Sequence, residues 1–401
     1  MDNCDEYYSK IVYKKNAFCD LAVDLKVYYF QKRILFLTTK SVPVRFVTEV
    51  LNALSVAQCE FEQFVSKFNY DESELKQLSN KFIDKHFDLV VCLGSGKTTD
   101  VAKYYANIFN VPYICCPTAP TNISYFSAFC VNPHDVTRSF VAEEPERIYI
   151  SEAIIKKSPK HLIRQGVLYV LSFYEYVLSV VIDNVLFDKN VDTTDIKKIL
   201  SKCENNLDAL LCGDDDEKLS LMDCLIDMGY YFRSIEFYNL SCFNMFLLLC
   251  KIAEKSEIKI GSGEALFVCS KLLIEAYIKL FSSKKIKRYD LPDFQKIAKK
   301  LQKYGIFIKK INNFCYFNRI CNNFQLLERV NNLKEEFLFQ CNKRKQEQKK
   351  SLNKISSYNK YNCNQKPNLE HYLSALEVLP FVGDNNIIVS LLGATGLMNS
   401  F

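Results

Sequence analysis

Short apolar runs and helix-period patterns alternate through the first 157 residues of the chain. Ile34-Leu35-Phe36-Leu37 reads as a strand and Val44 to Ala57 as a helix. Phe61 and Phe64 flank the next extended piece, and Glu72 to Lys85 reads as a second helix. Strand, helix and strand at this rhythm predict a parallel sheet, because parallel neighbours need a long crossover that packs back onto the sheet. Asp88-Leu89-Val90-Val91-Cys92-Leu93 is a continuous apolar run, as suits a strand covered on both faces. Thr99 to Phe109 follows as a helix with Val101, Ala102, Tyr105 and Ile108 on one face, and Pro112-Tyr113-Ile114-Cys115-Cys116 is a strand ending at Pro117.

From about Pro159 the pattern changes to long helical stretches with few strand signals. These run His161 to Ile182, Asp195 to Leu211, Glu217 to Ile235, Phe243 to Lys255, Glu264 to Phe281, Asp293 to Tyr304 and Asn323 to Lys343. Residues 342–368, rich in Lys, Asn and Gln and weak in periodicity, read as a mobile connection before the last helices. The expectation is therefore an α/β nucleotide-binding domain over 1–157 and an all-α domain over 158–401, with no internal repeat.

Composition narrows the class. At 401 residues and 49% hydrophobic, the chain can bury two cores. Its longest apolar stretch, Val167 to Ile182, contains Glu175 and two serines and is shorter than the roughly 20 residues a bilayer span needs, so it reads as a buried helix with no membrane span. The acidic start Met1-Asp2-Asn3-Cys4-Asp5-Glu6 is unlike an export signal, and a cytoplasmic location is expected. Seventeen cysteines without a Cys-x-x-Cys pair suit reduced core residues, Cys115 and Cys116 among them. A net charge of +6 from 52 basic and 46 acidic residues is mild, and the basic run Lys343 to Lys350 reads as a solvated helix end or loop, so no nucleic-acid partner is expected.

With only 11 glycines in the chain, Gly94-Ser95-Gly96-Lys97-Thr98-Thr99-Asp100 stands out at the join of a strand and a helix. Small residues there let backbone amides close on a pyrophosphate, and the positive end of the helix attracts its charge. A tight strand-to-helix turn would explain the glycines alone. Lys97 and the loop hydroxyls, between a strand and a helix, add the chemistry of phosphate binding. The spacing is neither that of a P-loop nor of the usual dinucleotide fingerprint.

Gly-Ser-Gly-Lys-Thr-Thr-Asp-Val-Ala-Lys over 94–103, a helix, and then Val-Pro-Tyr-Ile-Cys-Cys-Pro-Thr-Ala-Pro-Thr over 111–121 resemble the sn-glycerol-1-phosphate dehydrogenases, a branch of the iron-containing alcohol dehydrogenases. The resemblance implies the dehydroquinate synthase-like, or polyol dehydrogenase, fold, an NAD(P)H cofactor, reduction of dihydroxyacetone phosphate, and a homo-oligomer. It assigns Gly94, Ser95, Gly96, Lys97 and Thr98 to the cofactor pyrophosphate, and Thr118, Ala119, Pro120, Thr121 and Ser127 to the run along the dinucleotide. Gly229, Gly263-Glu264, Glu377 to Val382 and Leu391 to Leu397 extend the likeness, which is weakest between 280 and 370.

That family holds a divalent metal with one Asp and two His. The corresponding positions here carry Tyr169, Phe246 and Ser262, and two substrate-contacting positions carry Ile123 and Cys250. The chain's histidines are His86, His134, His161 and His371, so none lies between 162 and 370. No metal is expected, because phenylalanine offers no donor and a divalent cation wants imidazole or carboxylate. Where the family carries an Asp for the adenosine ribose, Thr39 stands with Lys40 beside it, which favours NADP over NAD.

Two functions follow. The first is a catalytically degenerate descendant that keeps nucleotide binding while its cleft has filled with Ile123, Tyr169 and Phe246. The second is a divergent, metal-free NAD(P)H-dependent oxidoreductase of a small polyol or polyol phosphate, with Tyr169 donating a hydrogen bond to the developing alkoxide. A lyase of the dehydroquinate-synthase kind is a third, disfavoured by the same missing ligands.

Overall fold

The computed structural model describes residues 4–67, 70–134, 139–233, 240–256, 258, 260–286, 299, 302–303, 323–357, 367–382, 389 and 392. The chain starts with α1 (Cys4–Ser9), β1 (Ile11–Lys14), α2 (Ala17–Tyr28), β2 (Arg33–Thr39), α3 (Val44–Val56), β3 (Glu60–Ser66) and α4 (Glu72–Phe82). It continues with β4 (Leu89–Gly94), α5 (Gly96–Phe109), β5 (Tyr113–Pro117), a 3₁₀ turn at Ser124–Phe126, the ribbon of β6 (Phe129–Val131) and β7 (Ser139–Val141), then β8 (Arg147–Ser151) and α6 (Glu152–Lys156). Helices follow: α7 (Lys160–Leu171), α8 (Tyr174–Phe187), α9 (Thr194–Asn205), α10 (Leu207–Cys212), α11 (Asp215–Arg233), α12 (Ser241–Lys255), α13 (Ser262–Phe281), α14 (Phe324–Ser357) and α15 (Leu369–Val382).

These elements form two units, residues 1–166 with 209–235 and residues 167–208 with 236–401, so α11 lies with the sheet. In the first unit six strands pair in the order β1-β8-β5-β4-β2-β3, every pair parallel. Side chains alternate across this sheet. Ile34, Phe36, Leu89, Val91, Leu93, Ile114 and Cys116 meet Leu21, Leu25, Phe46, Val50 and Leu54 of α2 and α3 in one core. The opposite parity carries Cys92 and Cys115, in register with Sγ atoms 3.7 Å apart. Burial of such side chains, worth about 1.5–3 kcal/mol each, is why the unbroken apolar runs become central strands.

Helix α5 begins at Gly96 rather than Thr99, and its buried face departs from the expected one. Ile108 is 38% exposed, whereas Lys103 joins Val101, Ala102, Tyr105 and Ala106 in full or nearly full burial. A buried lysine hides a helical stripe from any apolar count.

In the second unit α13 packs on α14 and on α12, and α12 on α15. The stretch expected as one helix over 161–182 is two, α7 and α8, broken at Ser172, whose hydroxyl donates to the Tyr169 carbonyl at 2.6 Å. A second break, at Asn206, divides the helix expected over 195–211. Residues 342–357, expected in a mobile connection, are the last turns of α14. Its described buried positions are Leu326, Val330, Phe337, Cys341, Arg344, Gln348, Ser351 and Ile355, a three-four spacing in which polar residues take apolar places. Most of the helix expected over 293–304, residues 358–366, and most of the terminal stretch after Val382 lie outside the described residues.

Candidate nucleotide-binding site

The sheet order places a topological switch beside β2. The chain leaves β2 for β3 on one side and returns to β4 on the other. In open parallel sheets the carboxyl ends at such a switch frame a ligand crevice. Thr38 pairs with Leu93 across it and donates its hydroxyl to the Leu93 carbonyl at 2.8 Å. Thr39, which the resemblance sets where the family carries an Asp, is buried with its hydroxyl 2.7 Å from Ser41 Oγ, and Lys40 is exposed with its N–H on the Ser66 carbonyl at 2.8 Å.

The glycine loop crowns β4. Gly94 ends the strand, Ser95 is extended (φ −88°, ψ −176°) with no side-chain cap, and Gly96 opens α5. The first-turn N–H groups of Gly96, Lys97 and Thr98 have no preceding helical carbonyl to meet, and the first intrahelical bond runs from Thr99 N–H to the Ser95 carbonyl at 3.1 Å. Among the described glycines only Gly213 has positive φ, so the loop needs glycine for close approach. A β-carbon at 94 would overlap the Thr98 side chain, and one at 96 the Asn122 carboxamide.

Residues 118–129 form a strap over this turn. Thr118 N–H bonds the Gly94 carbonyl at 3.1 Å, and the Ser158 hydroxyl donates to the Thr118 carbonyl at 3.1 Å. Tyr125 OH donates to the Ala119 carbonyl at 2.9 Å and lies 2.9 Å from Thr121 Oγ1. Of the ten residues expected at the cofactor, Lys97 is exposed and Ser95 and Thr118 are half-buried. Gly94, Gly96, Thr98, Ala119, Pro120, Thr121 and Ser127 are buried.

Sequence reasoning missed the residues that fasten the strap. The Ser124 hydroxyl donates to Asp100 Oδ1 at 2.7 Å, and Lys103 Nζ donates to the carbonyls of Ser124 at 2.5 Å and Phe129 at 2.8 Å. Burial pushes the Asp100 carboxyl up to about 6, while Lys103, the Ser124 hydroxyl and Lys97 pull it down. An Asp and a Lys three apart on a helix otherwise buried by apolar residues was the available signal.

The positions assigned to metal binding lie in the second unit. Tyr169, on α7, is buried with its ring 5.5 Å from that of Phe173. Phe246, on α12, has its ring 6.0 Å from Phe243, Cys250 is half-buried on the same helix, and Ser262 is the first residue of α13. Ile123, in the strap, is 1% exposed. A phenol, a benzyl ring and a hydroxyl do not make a divalent site, so these residues do not fit the metal.

Comparison with known proteins agrees with this architecture. Residues 12–159 match the family model described as iron-containing alcohol dehydrogenase. Glycerol-1-phosphate dehydrogenase, NAD(P)+, of Methanococcus aeolicus is 28% identical over 176 residues, 39% of this chain and 51% of that protein. Its counterpart in Metallosphaera sedula is 31% identical over 153 residues, 36% of this chain and 42% of that protein. The matched part thus spans about half the length of these relatives or less. In fold, the chain is similar to an archaeal halo-thermophilic Red Sea brine pool alcohol dehydrogenase (14% identical, 98% of this chain and 96% of that one, TM-score 0.58). It is similar too to glycerol dehydrogenase from Schizosaccharomyces pombe (16% identical, 90% and 95%, TM-score 0.52). A parallel α/β sheet in one half, helices in the other and a glycine loop at the switch point accompany the match of residues 12–159 to the iron-containing alcohol dehydrogenase family model.

Proposed function

We propose that the protein binds NAD(P)H at the Gly94 loop and has lost the metal-dependent hydride chemistry of glycerol-1-phosphate dehydrogenases. The observation that carries this reading is the first turn of α5. That turn, whose backbone N–H groups lack a helical carbonyl, starts at the carboxyl end of β4 beside the switch point between β2 and β4, at two glycines whose Cα atoms other side chains approach too closely for any β-carbon. A pyrophosphate with many acceptor oxygens suits that array, and exposed Lys97 supplies a countercharge.

When bound, NAD(P)H would supply a hydride. The second half of the chemistry, polarising a substrate oxygen, is what Tyr169, Phe246 and Ser262 are poorly made to do. Metal polarisation contributes several kcal/mol, and each 1.4 or so is tenfold in rate. Loss of every ligand therefore favours binding without efficient turnover.

The test is titration of metal-stripped protein with NADPH and NADH, read by nicotinamide fluorescence, followed by dihydroxyacetone phosphate with and without zinc. Saturable binding without turnover is expected. Cofactor oxidation that needs no metal would replace this reading with that of an active metal-free oxidoreductase and make Tyr169→Phe the next variant. Absence of binding would remove the nucleotide role altogether.

A further inference from the structure

We propose that Asp100, Lys103 and Ser124 are positioning residues that hold Asn122 against the first turn of α5, and that the Asn122 carboxamide contacts the phosphate of the bound nucleotide. The inference rests on the nucleotide reading above and extends it to residues outside the glycine loop.

Lys103 is fully buried. An ammonium in such a place is costly unless its donors and charge are matched, and an apolar residue would serve packing alone more cheaply. Two of its three donors are met by carbonyls at the ends of one short segment, Ser124 at 2.5 Å and Phe129 at 2.8 Å. Asp100, one turn earlier on α5, takes the hydroxyl of the same Ser124 at 2.7 Å, and Cys130 Sγ donates to the Asp100 carbonyl at 3.3 Å. The buried groups therefore fix the orientation of the 3₁₀ turn.

What that turn carries is Asn122. Its Oδ1 accepts the Ser124 N–H at 3.0 Å, which leaves the amide end against Gly96. Among the described residues nothing accepts from Nδ2, and the side chain is half-exposed. A donor with no protein acceptor, set beside first-turn backbone N–H groups, is suited to a ligand oxygen bearing negative charge.

The test compares wild type with Asn122→Ala, Ser124→Ala and Ser124→Thr by NADPH titration, with unfolding midpoints of the unliganded proteins measured in parallel. Loss of one hydrogen bond to a charged group predicts about tenfold weaker NADPH binding for Asn122→Ala and Ser124→Ala. Ser124→Thr, which keeps the hydroxyl, restores most of the affinity. A structural brace would instead lower the midpoint and leave the affinity of the folded fraction unchanged. If wild type binds NADPH and the two alanine variants bind it equally well, this inference alone is overturned. If wild type binds no NADPH, the functional reading falls and takes the inference with it. Should Ser124→Ala fail to fold, half-exposed Asn122 decides the question by itself.

Discussion

The Asn122 carboxamide occupies the volume into which a β-carbon on Gly96 would point, so these two residues cannot both carry side chains there. Gly96→Ala should therefore cost about 1–3 kcal/mol of stability, the usual range for overpacking a filled site. The clash has a single named partner. Combining Gly96→Ala with Asn122→Ala should return most of the loss, giving a favourable coupling of about 1 kcal/mol or more in a urea-denaturation cycle. Additive losses would mean that the glycine serves some other purpose.

Gly166 presents the harder case. A β-carbon there would run into the backbone carbonyl of Pro120, and that carbonyl belongs to a strap pinned through Thr118, Tyr125 and Ser124. A side chain can swing aside, whereas a pinned carbonyl must drag its neighbours. Gly166→Ala is expected to cost about 3 kcal/mol, at or above the top of the overpacking range, and no single second substitution should rescue it. A loss in urea denaturation no larger than that of Gly96→Ala would contradict the claim that the strap is fixed.

The sequence made the central strands readable because β2, β4 and β5 are buried on both faces and bear unbroken apolar runs. β1 and β8 were not visible. β1 is a four-residue strand that is nowhere fully buried, and β8 is five residues long and starts with an arginine. The run from Val167 to Ile182 is apolar apart from Ser172, Glu175 and Ser179, whose three-four spacing is itself helical, so the pattern ran straight across the break at Ser172. In the last turns of α14 the seam is filled by Arg344, Gln348 and Ser351, and an apolar count therefore saw a connection where the chain is helical. At the candidate site, Gly94 to Thr98 are contiguous and could be read directly. Asp100, Lys103, Asn122 and Ser124 acquire meaning only when residues more than twenty apart are brought together.

Lys40 supplies a test of cofactor preference. It stands exposed at the carboxyl end of β2, next to buried Thr39, at the switch point that frames the glycine loop. A 2'-phosphate there would gain a charge-assisted contact that a bare ribose would not. Lys40→Ala is expected to weaken NADPH about tenfold while leaving NADH nearly unchanged, with the difference shrinking as salt is added. Equal weakening of both in parallel titrations would show Lys40 acting as a general attractor with no role at the 2'-position.

Asp183 carries a prediction independent of any ligand. It lies on α8, with Lys189 Nζ 3.9 Å from its Oδ2 and its Oδ1 buried without a hydrogen bond. Burial pushes its carboxyl up to about 6, Lys189 pulls it down, and Glu175 pushes it up further. Glu175 is itself raised by burial, although its Oε1 accepts from Tyr277 OH at 2.6 Å and Ser179 Oγ at 2.7 Å. A carboxyl whose folded value lies above its unfolded one binds its proton more tightly when folded. Its favourable contribution is complete below about pH 4 and is lost as pH rises through about 6. Asp183→Asn imitates the protonated group at every pH, and the ion pair it removes is long and contributes little. The variant should therefore match wild type near pH 4 and exceed it by about 1–2 kcal/mol near pH 7.5, a figure reduced from the full linkage value because the side chain keeps some solvent. Urea denaturation at the two pH values checks this directly. An equal gain at both would trace the effect to packing, and a loss at neutral pH would mean that the Lys189 contact outweighs the cost of burying the charge.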